Sequence, residues 1–453
     1  MKRRFPIDED RVYLTGLSMG GGGTLWLGLN RPDIWAAIAA VCPAPPEGTD
    51  ALAPNALNFP VHFFHGDADP VVPVEVSRSW VQRLRELGTQ VDYAEYPGVG
   101  HDSWVPAYEN GQIFEWFSRF RRDPHPERVR FATERYRYNR AHWVEIDRLT
   151  PGTLATIDAR LTAPNRLEVT TRDLGAFTLH LAGHPQYSAE RPLELRIDGR
   201  AIRTRAGEPL SFSRQGNRWA AVPYEPPALA KRPGAEGPIS AAIASRHIYV
   251  YGTGGDPSPE ELEARRAQAT QAANWSVDRG PFWGRVMVFP RTIADRDVRP
   301  SDLESANLVL FGTRETNSLM ARYADRLPLH LDAEAADEYG LLYVFPIEER
   351  YVLISSGLPW WRSTRPAPGV APAPPAPPAT PGRRPSPFVG AVVALGLMGL
   401  QDFLLFRDSP ENVVVEGRFD PTWQVPEADA RQLRASGAVT LGSAVPIRTN
   451  EER

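Results

Sequence analysis

Apolar and polar positions alternate along this chain in three different rhythms. In residues 11–120, short apolar runs alternate with helical patterns. Residues 11–15, 36–41, 61–64 and 91–96 read as strands, and 24–29 as a helix that stops near Pro32. Val76, Trp80, Val81, Leu84 and Leu87 share one face of a helix over 74–87, closed by Gly88. Ile113, Phe114, Trp116 and Phe117 predict a last helix over 107–120. Strand and helix in turn imply a parallel sheet with right-handed crossovers. From about Val129 to Val222 only strands are indicated, with turns at Asp198-Gly199 and 215–217, which predicts a small antiparallel β-sandwich. After about Ser245 the α/β rhythm returns, with strands at 247–251, 285–289 and 307–311, helices at 259–274 and 316–327, and two strands within 343–355. Ser258-Pro259-Glu260-Glu261 reads as a capping box with Pro at the first helical position. The expected fold class is α/β in domains 1–125 and 236–453, separated by the β-sandwich at 126–235. The Pro- and Ala-rich run 365–387 cannot build a core and is expected as an extended, solvated loop.

Composition narrows the function classes. The 453 residues are 42% hydrophobic and 23% charged, an ordinary globular balance. A net charge of −4 supplies no basic field and argues against nucleic acid as the main partner. Cys42 is the single cysteine, so neither an internal disulfide nor a Cys-based metal site is available. The most apolar stretch, 388–400, is too short to span a bilayer of ~30 Å and is expected as a buried core element. The opening residues Met1-Lys2-Arg3-Arg4-Phe5-Pro6 lack the apolar run of a signal peptide. The oligomeric state is left open.

The chemistry-bearing pattern begins at Gly16-Leu17-Ser18-Met19-Gly20, a G-x-S-x-G pentapeptide between a strand and a helix. Such a turn lifts a serine hydroxyl above the carboxyl edge of the sheet, and its glycines permit close backbone approach. The Met19 N–H, at the helix start, is placed to donate to an oxyanion. An acid and a base should then follow in that order. After the strand at 61–64 comes His65-Gly66-Asp67-Ala68-Asp69-Pro70, and after 91–96 comes Pro97-Gly98-Val99-Gly100-His101. Both loops leave the carboxyl ends of strands, where sites of open α/β sheets form. The residues alone leave Asp67 and Asp69 open as the acid, since both types also form turns. His65 is expected to be packed or backbone-bonded. Asp102, Ser103 and Trp104 are candidates for the pocket mouth, with simple packing an equal reading for Trp104.

Taken together, residues 11–21, the H-G-x-x-D-x-x-V-P segment 65–73 and the loop 96–104 resemble one group of α/β hydrolases. That group joins prolyl-oligopeptidase-like enzymes, predicted peptidases and polyester-depolymerase-like esterases. The resemblance covers about residues 3–120. It implies a partial α/β-hydrolase sheet with Ser18 as nucleophile, His101 as base and Asp69 as acid, leaving Asp67 as a loop-stabilising acceptor. Leu17 and Trp104 then border the pocket, beside the Met19 oxyanion donor. The implied activity is serine hydrolysis of a small-molecule carboxylic ester, with a peptide as second choice and no metal or organic cofactor.

One departure from the group matters. In the resembled fold the elbow follows the fifth strand of eight, and a second oxyanion donor comes from an earlier loop. Here only about ten residues precede the elbow strand. The first half of the sheet and that loop are missing from the pattern, so a chain truncated at its N-terminus is expected, and localisation stays open. A non-catalytic binding or scaffold protein is the rival reading.

Other motifs are weaker. Tyr251-Gly252-Thr253-Gly254-Gly255 departs from G-x-G-x-x-G and is expected as a structural turn. His180 and His184 lie in strand and turn, without helical metal-ligand spacing. Asp295, Asp297 and Asp302 lack the EF-hand order and are expected as a solvated loop.

Overall fold

The computed structural model describes residues 4–204, 207, 209–278, 285–347, 350–361 and 396–446. They form two compact units, Met1–Glu225 and Pro226–Arg453. The Pro-rich run 365–387 and most of the apolar stretch 388–400 lie outside the described residues.

In the first unit, β1 (Tyr13–Leu17), β2 (Ala37–Val41), β3 (Val61–Gly66) and β4 (Val91–Tyr96) make a parallel sheet in that spatial order. Every residue of β2 is buried, because helices cover both faces of the sheet. On one face α1 (Met19–Asn30) and α2 (Glu75–Glu86) pack Leu25, Leu29, Trp80 and Leu84 against Ile38, Ala40 and Phe63. On the other, Ile113, Trp116 and Phe117 cover Ala37, Ala39, Val41 and Phe64. Four successive glycines make α1 a poor helix former by itself, so packing must hold it. The expected helix over 107–120 is two pieces, α3 (Trp104–Tyr108) and α4 (Gln112–Ser118). Asn110 at φ 54° and Gly111 at φ 73° take the left-handed conformation between them and stop the first helix.

The sandwich belongs to the same unit. Its strands are β5 (Arg128–Thr133), β6 (Arg140–Ala141), β7 (Val144–Leu149), β8 (Ala155–Ala163) and β9 (Arg166–Arg172). They continue with β10 (Leu174–Leu179), β11 (Glu194–Ile197), β12 (Arg200–Ile202), β13 (Leu210–Gln215) and β14 (Arg218–Ala220). One sheet runs β14-β13-β10-β7-β6 and the other β12-β11-β9-β8-β5. Inward Ile157, Ala159 and Leu161 of β8 alternate with outward Asp158 and Arg160. The sandwich is not wholly antiparallel, for β9 and β11 pair in parallel. The chain leaves β9, crosses to the other sheet as β10 and returns, the kind of crossover a parallel pair needs. Buried Asn55 ties the two parts together, donating to Leu29 O and Ala132 O and accepting from Ala132 N.

The second unit begins at Pro226. Lys231 N donates to Pro421 O and Ile239 N to Gln401 O, which fastens residues 226–242 to this unit. The Lys231 ammonium is buried 2.5 Å from Asp402, donates to Phe419 O and lies over the Trp423 ring. Burial pushes Lys231 down, and the Asp402 carboxylate opposes that shift. The strands here are β15 (His247–Tyr251), β16 (Trp275–Asp278), β17 (Arg285–Val288), β18 (Thr292–Ala294), β19 (Asn307–Phe311) and β20 (Leu329–Leu331). After them come β21 (Tyr339–Ile347), β22 (Arg350–Gly357), β23 (Phe403–Arg407), β24 (Val413–Gly417) and β25 (Val439–Leu441). Seven of them form a mixed sheet, β18-β15-β19-β22-β21-β23-β24, with parallel pairing up to β22 and antiparallel beyond. The Ser258 hydroxyl caps the helix α5 (Pro259–Ala272), as expected. The helix expected over 316–327 is only Ser318–Arg322, started by Asn317, whose side chain accepts from Leu319 N and Met320 N.

Of the three aspartates expected in a solvated loop, Asp297 is exposed, and two are corrected: Asp295 and Asp302 are buried. Asp295 accepts from Thr253 N, Thr253 Oγ1, Arg296 N and Ser318 N, and Asp302 from Arg291 and Arg299 N. Both carboxylates satisfy loop N–H groups that a buried connection would otherwise leave unpaired.

Two stability tests follow from these buried groups. Lys231→Met leaves the Asp402 carboxylate buried without its cation, a change that costs ~3–5 kcal/mol. Amide exchange in the seven-stranded sheet should quicken accordingly, and Lys231→Met/Asp402→Asn should recover most of the protection. In the first unit, burial pushes His62 and His142 down to about 4. The unfolded chain protonates these rings at ~6.5, so below that pH it binds protons the folded unit does not. Stability is therefore complete above about 6.5 and declines as pH falls toward 4. The pH slope of Tm over that window should be shallower in His142→Asn, which keeps a residue suited to the φ of 51° found there.

Candidate active site

Ser18 sits at the sharp turn between β1 and α1, with φ 54° and ψ −120°. A non-glycine residue pays ~1–3 kcal/mol for such a backbone and needs surroundings that enforce it. They do so through three bonds: Ser18 N donates to Val41 O, while Gly22 N and Ala44 N donate to Ser18 O. Glycines make the approach possible. A Cβ on Gly16 would lie 2.3 Å from Gly20 O, on Gly21 2.5 Å from Val41 O, and on Gly22 2.0 Å from Ala44 O. The second glycine of the pentapeptide, Gly20, faces open space, so the crowded positions are one and two residues later. Met19 is the first residue of α1, and its N–H has no partner within the helix.

The loops after β3 and β4 carry the other two groups. A Cβ on Gly66 would meet Val99 O at 2.2 Å, so the two loops lie backbone to backbone. Ala68 N donates to Val99 O, and Asp67 accepts from Gly98 N at 2.6 Å. Asp67 therefore fastens the histidine loop, while Asp69 points inward. Asp69 Oδ1 accepts from Val71 N and Val72 N, and Oδ2 lies 2.7 Å from His101 Nδ1. His101 Nε2 is 2.9 Å from Ser18 Oγ. Burial pushes the Asp69 carboxyl up, but hydrogen bonds with His101, Val72 and Val71 outweigh it and hold the group below the usual carboxylate range. Ser18, His101 and Asp69 thus form one hydrogen-bonded line from a serine hydroxyl through an imidazole to an ionised carboxylate.

Exposed apolar side chains flank Ser18 in sequence, Leu17 at 39% and Met19 at 67%, and Val71, two residues after Asp69, and Val105, in α3, are each 62% exposed. Trp104 is half-buried, its ring edge-on to His101 at 5.6 Å. Behind the site lies Cys42, fully buried, its thiol 3.8 Å from His101 O. Its sulfur, an Asp69 oxygen and a His101 nitrogen lie within 4.8 Å of one another, as cation ligands would. That set is accounted for without a cation: the Asp69–His101 bond uses both partners' facing atoms, and burial pushes the Cys42 thiol up, toward its protonated form.

His65, expected to be packed or backbone-bonded, is both. Its ring is wholly buried, with Nδ1 2.7 Å from Ser77 Oγ and Nε2 3.0 Å from Val72 O. Nε2 also lies 3.3 Å from Asp69 Oδ2, a contact that its place in the sequence did not disclose. The remaining motifs are structural in what they touch. Gly252 packs so closely that a Cβ would lie 2.0 Å from Thr316 O, and Arg265 donates to the Gly252 and Gly254 carbonyls. His180 pairs with Glu145, whereas His184 packs edge-on to Trp143 and His125, so the two do not converge.

Residues 2–118 match the sequence model of the phospholipase/carboxylesterase family of α/β hydrolases. This part of the chain is an α/β-hydrolase segment. The hydrolase segment is 32% identical over 102 residues to acyl-protein thioesterase 1 of Gibberella zeae, covering 21% of this chain and 43% of that protein. It is 30% identical over 116 residues to the putative esterase NocK of Nocardia uniformis subsp. tsuyamanensis, covering 25% of this chain and 29% of that one. Among solved structures, a thermostable esterase is 37% identical, with a TM-score of 0.25 over 27% of this chain and 34% of its own. The chain thus spans less than half the length of these relatives. Among the described residues, no helix is long and apolar enough to cross a membrane.

The elbow of the hydrolase segment makes a steric prediction. Gly21→Ala should destabilise the first unit by ~1–3 kcal/mol through overpacking against Val41 O. Gly20→Ala meets open space and should be neutral or stabilising, by up to ~1 kcal/mol. Thermal unfolding of both variants decides it, and equal effects would contradict the assignment of the crowded position.

Proposed function

We propose that this chain hydrolyses carboxylic esters by acyl transfer through Ser18, His101 and Asp69. One observation carries the reading: a single imidazole is 2.9 Å from the Ser18 hydroxyl and 2.7 Å from the Asp69 carboxylate. His101 takes the Ser18 proton at Nε2 as Oγ attacks the ester carbonyl. Asp69 accepts from the Nδ1–H, which fixes the ring's tautomer and stabilises the imidazolium. The Met19 N–H donates to the developing oxyanion. Collapse of the tetrahedral intermediate expels the alcohol with a proton from His101, and water resolves the acyl-enzyme by the same route in reverse. The exposed Leu17 and Met19 side chains, which flank Ser18 in sequence, favour an apolar acyl group beside it. The thioesterase and esterase relatives support an ester or thioester over an amide.

The test is labelling of the full chain with a fluorophosphonate, together with turnover of p-nitrophenyl esters and peptide p-nitroanilides. Labelling and ester turnover should both vanish in Ser18→Ala, a loss of at least ~10⁴-fold in kcat. Anilide cleavage without ester cleavage would overturn the substrate assignment. A folded chain that neither labels nor turns over would favour a binding role.

A further inference from the structure

We infer that His65 is a positioning residue for the triad acid, acting through Asp69 at the same carboxylate oxygen that His101 contacts. The inference rests on the reading of Ser18, Asp69 and His101 given above. His65 is wholly buried and one of two imidazoles at Asp69 Oδ2, with Nε2 at 3.3 Å against 2.7 Å for His101 Nδ1.

The hydrogen-bond partners settle where the His65 proton is. Nε2 faces two acceptors, the Val72 carbonyl at 3.0 Å and the Asp69 carboxylate. A bare nitrogen there would be buried, unpaired and repelled, so Nε2 carries a hydrogen in either protonation state of the ring. That N–H is directed at Val72 O, while its dipole lies beside Asp69 Oδ2. In the neutral ring Nδ1 is then the acceptor, and the buried Ser77 hydroxyl donates to it.

His65 therefore acts on Asp69 twice. It holds the carbonyl of Val72, the residue whose own N–H, with that of Val71, binds Asp69 Oδ1. It also sets a positive dipole end against Oδ2, the oxygen that accepts from His101. The first effect fixes the carboxylate's rotamer. The second tempers its basicity, and so limits how strongly it stabilises the His101 imidazolium. His65 is wholly buried and its partners are Ser77, Val72 and Asp69, so its effect on the reaction belongs to positioning. Glu95, which is held by Arg78 and Tyr93, and Cys42 are titratable groups that also face this cluster, and variants at His65 leave both in place.

The test pairs His65→Leu, which removes the donor, with His65→Gln, whose amide can keep a donor at the Nε2 position. In the full chain, His65→Leu should lower the second-order rate of fluorophosphonate labelling about tenfold at pH 7, the scale for loss of a charge-assisted contact. It should also move the acidic limb of the rate–pH profile to higher pH, while KM for a p-nitrophenyl ester stays unchanged and kcat falls. His65→Gln should restore the position of the limb. Ser77→Ala, which removes no ring, should shift the limb in the same direction by less. A limb that does not move in His65→Leu, or moves equally in both variants, overturns the inference. Loss of all labelling in wild type, or labelling that persists in Ser18→Ala, sinks the triad reading instead. In that case the low-field Nδ1–H resonance of His101 still decides the role of His65. It should shift in His65→Leu and hold in His65→Gln, and an unchanged resonance in both overturns the inference.

Discussion

The backbone of Ser18 is the constraint on which the hydrolase segment is organised. A serine at φ 54° needs its amide and carbonyl held, here partly from outside its own turn, by Val41 and Ala44. Val41 O accepts from the amide, and Gly22 N and Ala44 N donate to the carbonyl. These bonds require the end of β2 and the loop after it to lie directly against the start of α1. Such contact leaves no room for side chains at Gly21 or Gly22, and Gly16 is crowded by Gly20 of the turn itself. The same closeness explains why β2 is built of Ala37, Ile38, Ala39, Ala40 and Val41, mostly small residues buried on both sides. The poor helix propensity of α1 is the cost of an approach that only glycines allow.

Electrostatics at the site follows from a second close approach. The loops after β3 and β4 meet at Gly66 and Val99, and Asp67 spends its carboxylate on fastening them. Asp69 is thereby free to turn inward, where the Val71 and Val72 amides, His101 and His65 surround it. A carboxylate so surrounded stays ionised despite burial, because the bonds to its charged form outweigh the loss of solvent. The two neighbouring aspartates thus divide the work of holding a loop and holding a charge.

Period and order made much of this legible. Alternating runs marked the four strands of the first sheet, and chain order alone placed a serine, an aspartate and a histidine at the carboxyl ends of strands. The failures have physical causes. The helix over 107–120 is indicated by Ile113, Phe114, Trp116 and Phe117, yet Asn110 and Gly111 before them adopt left-handed backbone and break it. Asp295 and Asp302 look like surface residues by composition, but loop amides make them buried acceptors. The parallel pairing of β9 with β11 depends on which sheet β10 joins, and a local pattern does not encode that choice.

By itself the sequence determined what is local: element types, the strained turn at Ser18, and the candidate groups with their order. It could not determine which glycine is crowded, since Gly20 and Gly21 differ only in what faces them. Nor could it separate Asp67 from Asp69 without an outside resemblance, because both sit in one turn and differ only in direction. The closeness of His65 to Asp69, the buried Cys42 and the start of the second unit at Pro226 likewise came only from the tertiary structure. The reason is common to all of them. Each depends on a contact between segments distant in sequence or on the direction of a side chain, and periodicity reports only which face a residue shares.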